Sequence, residues 1–261
     1  LVLERTVEAF AIFLIASAGV YLINDAIDAQ SDRAHPDKRH RPIASGALSA
    51  SLAIGTGGTF LVTGLVLAGV VAGWQLATVI GAYIVINAAY MFGLKRLPVV
   101  ELACVSAGFV LRAIAGGVAV HVPISPWFAI VTSSAALLVV AGKRSAEIDL
   151  LGRACTFHRR VLEQYSQPYL RFVRMIAGSV TIVSFCLWAF QRAAHVDGGH
   201  GGNDDILFEL SILPFVLGIL SVELAIESGD GGVPEELVLK NRTIQVLGLS
   251  CLVFVALGIY T

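Results

Sequence analysis

The chain has 261 residues, of which 56% are hydrophobic and only 14% charged, with a mean hydropathy of +0.80. A soluble domain carries about 25% charged residues, so this composition excludes a disordered chain, a nucleic-acid binder and an ordinary cytosolic enzyme. Net charge is −1, from 18 basic and 19 acidic residues, so no global field selects a partner and the local charge clusters carry the information.

A helix that crosses the hydrocarbon layer needs roughly 20 mostly apolar residues. Such runs fall at 7–24, 52–74, 76–94, 97–120, 124–142, 170–190, 206–226 and 244–260. They predict an all-α, polytopic transmembrane bundle, read as a single catalytic domain over 1–261. Gly69 and Gly73 in GxxxG spacing, and Pro214, fit closely packed membrane helices. The apolar runs do not alternate at strand length, which argues against a β-barrel.

The basic residues give the orientation. Connections after the first, third, fifth and seventh spans share one side. That side carries Arg33, Lys38, Arg39, Arg41, Lys95, Arg96, Lys143, Arg144, Arg153, Arg159, Arg160, Arg171, Arg174, Lys240 and Arg242. The opposite side carries Arg5 and Arg192, and Arg112 lies within a span. By the positive-inside rule the basic side is cytoplasmic.

The first span runs on into Asn24-Asp25-Ala-Ile-Asp28-Ala-Gln-Ser-Asp32. With Asp25 at 0°, helical geometry puts Asp28 at about −60°, Asp32 at about −20° and Asn24 at about −100°. Three carboxylates on one face at a helix C-terminus repel one another and oppose the local dipole. A divalent cation relieves that repulsion, and hard oxygen ligands select Mg²⁺ or Ca²⁺. The plainer alternative is a solvated acidic helix end. Next comes His35-Pro-Asp37-Lys38-Arg39-His40-Arg41-Pro42. As a membrane anchor it would only hold the chain at the surface. Beside the acids it suits a diphosphate clamped between metal and cations.

NDxxDxxxD at a helix end, followed by KRxRP, resembles the UbiA-type intramembrane prenyltransferases over nearly the whole chain. The resemblance implies nine helices, the eight spans seen here being the second to ninth, with the first expected upstream. Ordinary members carry a second Asp-rich motif after the sixth helix. This sequence departs from them there, reading Gly142-Lys143-Arg144-Ser145-Ala-Glu147-Ile-Asp149 in an expected loop. That segment, with Tyr165-xxx-Tyr169-Leu-Arg171, Tyr90-Met-Phe-Gly-Leu-Lys95 and Leu111-Arg112-Ala-Ile-Ala-Gly-Gly117, is similar to the phosphoribosyltransferase branch of the superfamily. Those enzymes join a polyprenyl (decaprenyl) phosphate to 5-phosphoribosyl 1-diphosphate, on the route to cell-wall arabinan.

The resemblance implies Mg²⁺, with Mn²⁺ as a substitute, on Asp25, Asp28 and Asp32, and Asn24 as a neutral ligand or hydrogen-bond partner. It implies Lys38 and Arg41 on donor phosphates, Lys143 and Arg144 on the lipid phosphate, and substrate roles for Tyr90, Lys95, Arg112, Glu147, Tyr165, Tyr169 and Arg171. It places the enzyme in a bacterial plasma membrane with the site facing the cytoplasm. A homo-oligomer is left open.

Structural readings stand beside these. Arg112 in mid-span must face a polar interior, and Glu101 lies on its helix face. Interfacial tyrosines are common. Glu227, Asp230, Glu235 and Glu236 surround Gly229–Gly232 in a solvated connection or a lid. Cys104, Cys155, Cys186 and Cys251 have no CxxC spacing and read as small apolar residues. Six histidines form no HExxH pair. The segment 197–205 reads as a solvated loop. Rival functions are prenyl transfer to an aromatic or lipid acceptor, and a transporter or lipid-binding protein. The Lys143-Arg144 pair disfavours the first. The clustering of charge at one membrane face disfavours the second.

Overall fold

The longest element, α1 (Val2–Ala34), carries the apolar first span and the acidic motif on one uninterrupted helix. The structure is a computed structural model that describes residues 2–34, 38–151, 160–196, 204–229 and 238–260. After α1 come α2 (Ala50–Leu67), which a π-helical turn extends through Ala68–Ala72, then α3 (Trp74–Phe92) and α4 (Val100–Ala119). They are followed by α5 (Pro126–Leu151), α6 (Gln167–Val196), α7 (Asp204–Leu210), α8 (Ile212–Glu227) and α9 (Arg242–Tyr260). Among the described residues there is no β-strand, and eight helical segments are long and apolar enough to cross a membrane. All eight expected spans are present.

The chain divides into two units, Leu1–Ile124 with Arg153–Tyr165, and Ser125–Gly152 with Ser166–Thr261. In the first, Ala9, Ile12, Phe13, Ala16 and Val20 of α1 pack with Leu76, Ile80 and Tyr83 of α3 and Ala115 and Ala119 of α4. Small residues let α1 and α2 approach closely. A Cβ added at Gly19 would stand 2.8 Å from Gly57 O, and one at Gly64 3.1 Å from Ala16 Cβ. The expected Gly69–Gly73 pair does not do this. A Cβ at Gly69 would be 3.9 Å from Ala77 Cβ, and Gly73 lies at φ +92° in the turn into α3 with nothing near it.

In the second unit α5 packs along α6. Phe185 stacks on Phe215 with ring centroids 3.8 Å apart, and Trp188 meets Phe208 edge-on at 5.8 Å. The seventh span, expected over 206–226, is present as Ile206–Glu227, with one turn residue, Ser211, between α7 and α8. Pro214 has no N–H for the Leu210 carbonyl, so one helical bond is missing here, while Ser211 N–H still donates to Leu207 O at 3.1 Å and Phe215 N–H to Ser211 O at 3.2 Å.

Large apolar side chains cover the outside of both units, among them Leu14, Val62, Val85, Leu187 and Leu252. Water would not tolerate so continuous a surface, whereas lipid requires it.

Candidate active site

The acidic end of α1 meets two cations from different parts of the first unit. After α1 the chain turns through Lys38–His40. Arg41 N–H donates to Lys38 O at 2.9 Å, Ser45 N–H to Arg41 O at 2.8 Å, and Leu48 N–H to Pro42 O at 2.9 Å. Arg33 Nε donates to Ala44 O at 3.0 Å, tying this loop to the end of α1. Ile43 and Ala44 are buried beneath it, and Ser49 caps α2 by accepting from Leu52 N–H. The folded loop delivers Arg41 to the carboxylates. Its Nη1 lies 2.7 Å from Asp25 Oδ1 and 3.0 Å from Asp32 Oδ2. Lys95, on the turn Leu94–Arg96 after α3, reaches Asp28 Oδ1 with Nζ at 2.5 Å.

Helical angle explains the division. Asp25 and Asp32 differ by only about 20° around the axis and share one nitrogen, whereas Asp28 stands off to the side and takes Lys95. Asp32 is nearly buried, while Asp25 and Asp28 are about one-quarter exposed. Asn24 is half-buried beside them. Among the described residues no three carboxylate, imidazole or thiol groups converge to hold one metal ion. Of the three acids, Asp25 and Asp32 share Arg41 and Asp28 takes Lys95.

Deeper along α1, Ser17 donates to Tyr83 Oη at 3.1 Å. Arg112 joins them. Its Nη2 lies 3.1 Å from Tyr83 Oη and 3.4 Å from Ser17 Oγ, and its Nη1 donates to Gly108 O at 3.1 Å. The guanidinium also lies 5.2 Å from the Tyr83 ring centroid, 5.6 Å from Phe109 and 5.7 Å from Phe13. Hydroxyl acceptors and ring faces compensate its lost hydration. Among the described residues it has no carboxylate partner. Glu101 is fully buried near the start of α4. Tyr90 lies half-buried in the last turn and a half of α3, and Tyr165 Oη accepts from Val99 N–H at 2.7 Å.

In the second unit the segment 142–149 is helical, the C-terminal part of α5, and not the expected loop. Gly142 brings α5 against α8, since a Cβ there would stand 2.7 Å from Ile226 Cδ1. Lys143 is exposed and has no ion pair among the described residues, while Arg144 is 4% exposed and donates to Glu147 Oε2 at 2.7 Å. Gln167, at the start of α6, clasps the end of α5. Its Nε2 donates to Ser145 O at 2.9 Å and Asp149 Oδ1 at 2.7 Å, and Ser145 Oγ donates to its Oε1 at 2.5 Å. Tyr169 N–H donates to Ser166 Oγ at 3.2 Å.

Arg171 is held by Glu227, with Nη2 2.9 Å from Oε2. Arg174 is buried, bonding Glu223 Oε1 at 3.1 Å and also pairing with Glu227. Glu223 Oε2 is buried without a partner among the described residues. Glu227 therefore belongs to an ion-pair network closing α8 on α6. Sequence reading missed Arg174, Glu223 and Gln167 as interacting groups. The signal was there for the charged two: acids at i,i+4 and arginines at i,i+3 inside apolar helices are costly unless paired. Cys104, Cys186 and Cys251 are free thiols, half-buried or buried. Residues 35–37, Arg153, Cys155, Arg159, the segment 197–203, and Asp230, Glu235 and Glu236 lie outside the described residues.

Fold and site together define a multi-pass, all-α membrane protein with an acid-and-cation cluster at one helix end. Residues 3–145 match the UbiA prenyltransferase family, and the chain belongs to that family. It is 39% identical over 254 residues to a decaprenyl-phosphate phosphoribosyltransferase of Corynebacterium glutamicum, covering 97% of this chain and 75% of that one. It is 40% identical over 256 residues to the protein of that name from Mycolicibacterium smegmatis, covering 97% and 79%. Among solved structures, a UbiA homologue from Archaeoglobus fulgidus bound to GPP and Mg²⁺ superposes with a TM-score of 0.73 at 16% identity, over 98% of this chain and 87% of that one.

Proposed function

We propose that this protein transfers 5-phosphoribose from 5-phosphoribosyl 1-diphosphate to decaprenyl phosphate or a similar polyprenyl phosphate. A phosphate oxygen of the lipid bonds to C1 of the ribose, the C1–oxygen bond to the diphosphate breaks, and pyrophosphate leaves. The observation that carries this reading is the 39–40% identity, over at least 95% of the chain, to relatives named for decaprenyl-phosphate phosphoribosyl transfer. Attack opposite the leaving group inverts C1.

The site residues suit the donor end of that reaction. Two carboxylates, Asp25 and Asp32, address one nitrogen of Arg41 within 3.0 Å, so they can serve a single cation. Mg²⁺ commonly takes one or two carboxylates and completes its shell with water and substrate phosphate. Asp25 and Asp32 are the residues that would hold such an ion, with Asn24 beside them and Asp28 as the third acid, carrying Lys95. Bound Mg²⁺ or Mn²⁺ would neutralise charge that builds on the leaving oxygen.

Arg41, Lys38 and Lys95 are the proposed cations for the donor's phosphates, because charge-assisted bonds to phosphate are strong and directional. A lipid phosphate is already ionised at neutral pH, so it needs to be held in line more than it needs a base. Lys143, exposed and without an ion pair among the described residues, is the proposed holder of that phosphate. Arg144 and Glu147 support its turn of helix. Tyr90, Tyr169, Arg112 and Arg171 are the remaining proposed substrate residues, although Arg112 and Arg171 already serve contacts within their own units. The site is proposed to face the cytoplasm of a bacterial plasma membrane.

The test is direct. Purified protein in detergent or nanodiscs, with Mg²⁺, labelled 5-phosphoribosyl 1-diphosphate and decaprenyl phosphate, should yield a labelled lipid and pyrophosphate. Labelled prenyl diphosphate incorporated into an aromatic acceptor instead would overturn the reading.

A further inference from the structure

The turn that carries Lys95 enters α4 through a strained junction. Leu97 is extended, Pro98 follows, and Val99 sits at φ 66°, ψ −49°. Val100 N–H donates back to Pro98 O at 2.7 Å. That pattern is a γ-turn of the positive-φ kind, which is rare and strained. Val99 is also β-branched, and such a side chain fits positive φ worse than most. A glycine would adopt this conformation readily, and the sequence does not place one here.

A strained conformation persists only where its surroundings over-determine it. At Val99 the restraint is visible. Its N–H donates to Tyr165 Oη at 2.7 Å, from a tyrosine only 7% exposed. Tyr165 follows the 3-10 turn Arg160–Gln164, and its own N–H is held by Leu162 O at 3.2 Å. Four residues before Val99, Lys95 places Nζ 2.5 Å from Asp28 Oδ1. A lysine side chain has many rotamers, so a defined ion pair depends on a fixed backbone at its base.

We propose that Tyr165 is a positioning residue: through the strained Val99 turn it holds Lys95 against Asp28, and it does not itself bind substrate. The consequence for catalysis rests on reading Asp28 and Lys95 as part of the donor-diphosphate site. The positional claim does not.

Tyr165→Phe keeps the ring and removes the acceptor. Two readouts separate the claims. The first is amine labelling of Lys95 by acetic anhydride, followed on its peptide by mass spectrometry in the full-length detergent-solubilised protein. Labelling should rise about tenfold in Tyr165→Phe, the change expected for one lost hydrogen bond. It should return to within twofold of wild type in Tyr165→Phe/Val99→Gly, because glycine removes the strain that the hydroxyl restrains. Unchanged labelling in Tyr165→Phe, or no rescue by Val99→Gly, would overturn the proposal.

The second readout is steady-state kinetics. Tyr165→Phe should raise the KM for 5-phosphoribosyl 1-diphosphate about tenfold and leave the KM for polyprenyl phosphate unchanged. In a Lys95→Ala background the same substitution should change the donor KM by less than twofold. An equal effect with and without Lys95 would overturn action through that lysine. Labelling that behaves as stated in a protein forming no phosphoribosyl lipid would sink the functional reading and leave the positional one standing.

Discussion

Lys95 Nζ lies 2.5 Å from Asp28 Oδ1 across 67 positions of sequence, so the middle acid of the NDxxDxxxD motif already has its own counter-charge. Its two neighbours share Arg41 instead. The three acids are therefore expected to behave as two classes. Asp25→Ala and Asp32→Ala should each lower turnover by about 10²–10³, as for loss of a group that stabilises the leaving charge. Each should also raise the Mg²⁺ concentration needed for half-maximal rate. Asp28→Asn should slow turnover with a much smaller change in Mg²⁺ dependence. Magnesium titrations of the three variants check this, and equal shifts for all three would mean that Lys95 leaves and all three acids ligate.

Arg41 gives a sharper expectation. Its guanidinium occupies the position between Asp25 and Asp32 where a metal ion would be addressed. Removing it leaves two neighbouring carboxylates without that cation. Arg41→Ala should bind Mn²⁺ more tightly than wild type in the absence of substrate, read by electron paramagnetic resonance. The same variant should bind 5-phosphoribosyl 1-diphosphate about 10–100-fold more weakly, the range for a charged hydrogen bond of about 1.5–3 kcal/mol. Weaker binding of both would show that Arg41 supports the carboxylates and does not compete for their position.

The spans were legible because run length and charge partition are properties of the sequence alone. The face shared by Asp25 and Asp32 was legible for the same reason, since helical angle follows from spacing. What could not be read were partners. Arg41 was readable as a candidate phosphate cation and Lys95 as a candidate substrate residue, but nothing in their spacing says that each closes on an acid of α1. The Lys143 segment was misread as a loop because its charges end the apolar run, whereas α5 continues through it to Leu151. The γ-turn at Val99 has no sequence signature, because valine is among the last residues expected there.

The network closing α6 on α8 should matter for stability more than for chemistry. Arg174 is about 2% exposed and serves both Glu223 and Glu227, whereas the Arg171 side chain is 60% exposed. Arg174→Ala leaves Glu223, which is part-buried, without its cation, while Glu227 keeps Arg171; the cost should fall between that of a solvated pair, about 0–1 kcal/mol, and that of a fully buried one, about 3–5 kcal/mol. Arg171→Ala removes a solvated pair worth about 0–1 kcal/mol. Thermal unfolding in one detergent should show a larger drop for the first than for the second. A marked loss of donor or acceptor binding in Arg171→Ala, with stability unchanged, would instead support its substrate role.

Lys143 separates the two ends of the proposed reaction. It is exposed on α5, next to an arginine that is already committed to Glu147. Among the described residues Lys143 has no ion pair, which makes it the proposed cation for an incoming anion. On the proposed reading the donor takes the acids of α1 with Arg41 and Lys95, and the lipid phosphate is left to Lys143. Lys143→Ala should raise the KM for polyprenyl phosphate by about 10–100-fold, corresponding to roughly 1.5–3 kcal/mol for a charged contact. The KM for 5-phosphoribosyl 1-diphosphate should stay within a few-fold of wild type. Arg144→Ala should behave differently, losing stability as well as activity, because its guanidinium is buried. Both constants are to be measured at saturating co-substrate. A loss confined to 5-phosphoribosyl 1-diphosphate would show that α5 holds the donor and that the two phosphate sites are assigned the wrong way round.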